Sequence, residues 1–146
     1  EWVYRDIRPK VFAEEYIQDD TDGILLDYKF FCFNGVPKIM YMARDGAKVR
    51  HAAFFDMEGK FLDIEMDDPK ASEAPELPSC FDEMKRIAGI LSKDVPFLRV
   101  DFFYVNGHIY VGELTFFHCG GFTPVKPESW NLRLGSWIEL SKEKII

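Results

Sequence analysis

The chain has little of what would mark a disulfide scaffold, a zinc finger or a membrane protein. Its 146 residues hold only three cysteines, Cys32, Cys80 and Cys119, odd in number, far apart and without a CxxC pair. That argues against a disulfide framework and fits a reducing compartment. The three histidines, His51, His108 and His118, show no zinc spacing, so surface or hairpin positions are expected for them. No apolar run approaches the roughly 20 residues of a membrane-spanning helix, and no secretory leader is visible. A Walker-type Gly-rich loop is also lacking. No convincing DxD motif stands out either, Asp19-Asp20 and Asp67-Asp68 being adjacent pairs in acidic loops. A net charge of −7 argues against nucleic-acid and anionic-membrane surfaces. A phosphate site needs only a few local cations and is not excluded by it. The expectation is a cytoplasmic protein, the inner face of the membrane included, with no integral membrane segment.

Apolar matter is abundant. Hydrophobic residues make up 47 % and phenylalanine occurs fourteen times, more than a disordered chain carries. The length suits one domain with a sizeable core. The chain opens in mid-pattern at Glu1-Trp2, so it reads as part of a longer protein.

The pattern predicts a strand over Lys10 to Ile17 ending in an acidic turn, then an aromatic strand, Asp27 to Phe33. Asn34-Gly35 signals a hairpin into Val36 to Met42. Val49 to Phe55 and Lys60 to Glu65 form a second pair around Glu58-Gly59. The stretch from Asp67 to Pro78 is acidic and proline-bearing, a solvated loop. A helix follows from Cys80 to Lys93, its apolar residues at helical spacing, with Ser79 as cap and Asp82 as its partner. Phe97 to Tyr104 and Ile109 to Phe116 pair around Asn106-Gly107. A Cys119-Gly120-Gly121 loop and a helix from Ser129 to Lys142 close the chain. The sum is an α+β domain, an antiparallel sheet of about six strands with one or two helices. Trp2, Trp130 and Trp137 are expected to pack the core or to cover the missing upstream part.

The last strand pair carries charge. Arg99 and Asp101 share one strand face, and Glu113 and Thr115 share a face of the return strand. A two-residue Asn-Gly turn would put Asp101 and Glu113 on opposite faces. A three-residue loop, Val105 to Gly107, would set Arg99 opposite Glu113 and Asp101 opposite Val111, and this register is the one adopted here because it partners the polar groups. Two neighbouring carboxylates repel unless a cation joins them. Hard oxygen ligands suit Mg²⁺, and a guanidinium suits a phosphate oxygen. A plainer reading stands beside it: a cross-strand Arg99–Glu113 ion pair with Asp101 facing solvent.

Arg99-Val-Asp101, a hairpin, and Glu113-Leu-Thr115 before a Gly-containing loop resemble the ATP-grasp metal motif. EWVYRDIRPKVFAEEYI, DYKFFCFNGVPK, RVDFFYVNGHIYVGELTF and LRLGSW resemble the TupA-like branch of that family, in family order over nearly the whole chain. The resemblance implies a C-terminal ATP-grasp subdomain that uses ATP and Mg²⁺ in bacterial cell-surface polysaccharide biosynthesis. It implies Asp101 and Glu113 as Mg²⁺ ligands, with Thr115 standing where most of the family has Asn. Arg99 would contact phosphate. The backbone of Gly120 and Gly121 would stabilise developing negative charge. Glu14, Tyr16 and Ile17 would hold adenine, Asp27 the ribose, and Lys29 a phosphate. An edge hairpin with solvated charges remains the plain alternative for that last group.

The upstream half of the nucleotide sandwich, with its lysine strand and phosphate-covering loop, would lie before Glu1, so this stretch alone is expected not to turn over. The implied reaction is carboxylate–amine ligation onto a glycan or polymer acceptor. A glycosyltransferase and a non-catalytic nucleotide-binding module are the alternatives.

Overall fold

The computed structural model describes residues 4–17, 25–44 and 51–140. Trp2, the acidic turn after Ile17, and Val49 and Arg50 of the expected third strand lie outside the described residues, as do residues 141 and 142 of the last expected helix, whose described part ends early, at Ser136. A six-stranded antiparallel sheet organises the domain: β1 (Leu26–Phe33), β2 (Val36–Arg44), β3 (Ala52–Asp56), β4 (Phe61–Leu62), β5 (Phe97–Val105) and β6 (His108–Thr115). Their spatial order is β4-β3-β2-β1-β5-β6. The helices are α1 (Phe81–Leu91) and α2 (Ser129–Ser136). The α+β class and the strand number therefore stand as read from sequence.

β1 is aromatic on both faces because both are covered. Phe30 and Cys32 belong with Met40, Phe55, Val100 and Phe102 to a core against α1, which contributes Met84 and Ala88. Phe31 and Phe33 belong with Ile39, Tyr41 and Phe54 to a second core, which α2 closes with Trp130. Strands buried on both faces lose the simple alternation of a half-exposed sheet. The β1–β2 turn uses Asn34 and Gly35 at φ 50° and 80°. Both values suit the mirror-image turn that matches strand twist.

Several expectations give way. Residues 11–17 form no strand, and most of their side chains are exposed. Among the described residues no neighbouring strand satisfies their backbone, and a strand without a partner does not hold. The α1 cap is Cys80 without a side-chain bond. Ser79 lies near the Tyr104 hydroxyl, at 3.5 Å, and Asp82 binds Lys85 at 2.7 Å instead of closing a capping box.

The hairpin register differs most instructively. Val105 pairs with His108, so the turn has two residues, with Asn106 at φ 51° and Gly107 at φ 81°. The three-residue loop is not formed. The pairing then slips: Phe102 faces Val111, but Asp101 faces Glu113 and Arg99 faces Thr115. Gly112 is the extra residue of a β-bulge, and one extra residue moves every later side chain to the other face. The bulge does what the longer loop was expected to do. A side chain at 112 would place its Cβ 2.7 Å from the Phe103 ring, so glycine fits the kink.

Candidate functional site

The charged side chains gather on the α2 side of the sheet, where β1, β5 and β6 lie side by side. Lys29 and Asp101 are cross-strand partners, as are Asp101 and Glu113. Lys29 Nζ donates to Asp101 Oδ2 at 2.7 Å and pairs closely with Asp27. Arg99 reaches the same carboxylate twice, Nε to Oδ1 at 2.7 Å and one terminal nitrogen to Oδ2 at 2.8 Å. That terminal nitrogen also donates to Glu113 at 3.1 Å. Thr115 donates its hydroxyl to the other Glu113 oxygen at 2.6 Å. Six of the residues proposed from sequence, Asp27, Lys29, Arg99, Asp101, Glu113 and Thr115, thus form one continuous network. The plain reading fails at one point, because Asp101 does not face solvent: it is 2 % exposed.

Burial makes the pairing obligatory. An isolated buried carboxylate is costly, whereas one held by two cations is tolerated. Burial works against the Arg99 charge, but the hydrogen bonds and charge of Asp101 outweigh it, and its pKa is raised.

The second terminal nitrogen of Arg99 meets His118 Nδ1 at 2.9 Å. A guanidinium only donates, so Nδ1 accepts and the ring proton sits on Nε2. Nε2 lies 3.4 Å from Asp67. Asp67 also accepts from Cys119 Sγ at 2.8 Å and from Thr123 at 3.0 Å. Burial and Arg99 lower the His118 pKa, which keeps the ring neutral. Burial and Asp67 push the Cys119 thiol up, so it is no ready nucleophile. Asp67, His118 and Cys119 lie close enough to surround a metal ion. Yet the Nε2 lone pair a metal would need is taken by a proton, and Arg99 fixes that tautomer.

Sequence reasoning missed Asp67. Adjacent acids in a proline-bearing loop suggested solvation, but Asp67 supports His118, and Tyr41 donates to Asp68. Only the fold brings this loop over the sheet.

Other expected site residues stand apart. Glu14 and Tyr16 are exposed, and no described hydrogen bond or ion pair joins Glu14, Tyr16 or Ile17 to the network. Asp27, by contrast, is buried inside the network, engaged with Lys29. Gly120 turns its N–H to Phe117 O at 3.2 Å. Gly121 is exposed with φ 82°.

The donor set has room for a hard cation. The Glu113 side chain is 59 % exposed. Each of its oxygens accepts one bond, which leaves lone pairs towards solvent. Asp101 Oδ1 receives Arg99 Nε and retains one lone pair. The acids Asp27, Asp101 and Glu113 outnumber the cations Lys29 and Arg99 by one charge. Carboxylate oxygens of this kind suit Mg²⁺, and Glu113 is the accessible carboxylate of the set.

No helix among the described residues is long and apolar enough to cross a membrane. No curated protein and no solved structure matches the chain. The family described as TupA-like ATPgrasp matches residues 1–139, which covers the whole network. On that match, the chain belongs to the TupA-like ATP-grasp family.

Proposed function

We propose that the chain is the metal-binding half of an ATP- and Mg²⁺-dependent carboxylate–amine ligase of cell-surface polysaccharide biosynthesis. The observation that carries this reading is the joined Lys29–Asp101–Arg99–Glu113 network on one sheet face, within the family match. In such a reaction a substrate carboxylate oxygen attacks the γ-phosphorus of ATP and ADP leaves. The acyl phosphate then loses phosphate to an attacking amine, and an amide forms. A glycan or polymer would be the acceptor.

Each cation keeps one donor for this work. An ammonium has three N–H bonds, and Lys29 commits one to Asp27 and one to Asp101. Arg99 has five, and four go to Asp101, Glu113 and His118. The remaining N–H groups would hold phosphate oxygens, pre-positioned by the buried carboxylates. Glu113, with Asp101 behind it, would hold Mg²⁺, which neutralises charge on the transferred phosphoryl group. Thr115 fixes the Glu113 rotamer through its hydroxyl bond. Assignment of adenine to Glu14, Tyr16 and Ile17 rests on the resemblance alone.

Glu113→Gln is the cleanest test, because Glu113 is exposed and its loss should spare the fold. Calorimetric titration with ATP at millimolar Mg²⁺ should show binding by the parent protein and its loss in the variant. Parent binding that survives chelation of Mg²⁺, or equal affinity in the variant, would sink the metal assignment.

A further inference from the structure

Away from this network, a cavity of about 540 Å³ opens between the start of β2, the β3–β4 turn and α2. It lies in the size range of small-ligand sites. Lys38, Lys60 and Arg133 line it. Among the described residues none of these three has a carboxylate within ion-pair distance, whereas Lys29, Lys70, Lys85, Arg86, Arg99 and Lys126 each do. Unpaired cations gathered at one opening of a chain with net charge −7 attract an anion.

Two of the three cations, Arg133 and Lys38, rest on aromatic rings. The Arg133 guanidinium carbon sits 4.5 Å from the centre of the Trp130 ring and 5.4 Å from that of Trp137. Lys38 Nζ sits 5.9 Å from the Trp137 ring. A stacked guanidinium is held in place while its N–H edge stays free for a planar carboxylate. The lining also holds acceptors. Asp56 uses Oδ1 for the N–H groups of Glu58 and Lys60, and Glu58 is exposed. Cations for a carboxylate, carboxylates for hydroxyl groups and indole surface for C–H groups are together the chemistry of an acidic sugar. A bare phosphate would use the cations alone.

We propose that this cavity binds an acidic saccharide, a sugar unit bearing a carboxylate. Ile39, which lines it, pairs with Phe31, and Phe31 pairs with Arg99. Two strand spacings therefore separate cavity and network, about 10 Å at the usual ~4.8 Å each. That suits a neighbouring unit of a polymer whose other part reaches the reacting centre. The polymer's role rests on the ligase reading, but saccharide binding itself does not.

The test is a nucleotide-free titration, read by tryptophan fluorescence and calorimetry, with trigalacturonate, neutral galactotriose and inorganic phosphate in turn. Trigalacturonate should bind, and the other two should not. Arg133→Gln and Lys38→Met should each weaken it about tenfold or more, the worth of one charge-assisted hydrogen bond. Both variants should melt like the parent, and Glu113→Gln should bind the saccharide unchanged. Equal binding of galactotriose or phosphate, no binding of trigalacturonate, or unchanged affinity in both cavity variants would overturn the proposal. Saccharide binding in a protein that fails to bind ATP would remove the ligase reading and leave this one standing.

Discussion

Replacing Lys29 by Met removes the ammonium that joins Asp27 to Asp101. Lys29 is 12 % exposed at its side chain, and its partners are 9 % and 3 % exposed. Breaking a buried ion pair by deleting one partner costs about 3–5 kcal/mol. Arg99 still holds Asp101 at 2.7 and 2.8 Å, which places the loss near the lower end, about 3 kcal/mol. For a chain of this length that corresponds to a fall of about 10 °C in Tm. Urea denaturation followed by circular dichroism measures it. The control is the same replacement in an Asp27→Asn/Asp101→Asn background, where the two carboxylates no longer carry charge. There Lys29→Met should cost less than about 1 kcal/mol, and the difference is the coupling energy. Equal cost in both backgrounds would show that Lys29 acts by packing and that the network is not electrostatically joined.

The remaining predictions are smaller. His118 has a lowered pKa in the fold, so as pH falls through the ordinary value of 6.5 the unfolded chain takes the proton first. Stability should therefore drop from pH 7 towards pH 5, and His118→Gln should flatten that drop in a series of thermal melts; parallel slopes would refute it. Cys119 is exposed, but its raised pKa should make it react slowly with iodoacetamide at pH 7, and Asp67→Asn should speed the reaction. Gly112→Ala forces a Cβ against Phe103 and should cost about 1–3 kcal/mol in urea denaturation. A neutral result there would mean that the bulge can open without strain.

Much of the fold could be read from local signals. Asn34-Gly35 and Asn106-Gly107 announce their hairpins because few residues other than Asn and Gly adopt positive φ comfortably. The pairing of Lys29 with Asp101 could not be read, since it depends on β1 lying beside β5 across more than sixty intervening residues. The grouping of Arg99, Asp101, Glu113 and Thr115 was read correctly but for the wrong cause. Gly112 inside an alternating strand was the available sign of a bulge. Ser79 showed the opposite failure. A good local cap signal lost to tertiary context, because Tyr104 on the sheet lies within reach of its hydroxyl. Asp67 lacked any local mark, because its partners come from residues 118–123.

β6 is the rim of the sheet, with one side of its backbone facing away from β5. A long, straight rim is a template on which another chain can add a strand and begin to aggregate. The kink at Gly112 interrupts that template in mid-strand. A single glycine thus turns Glu113 towards Asp101 and also spoils the register that a stray strand would need.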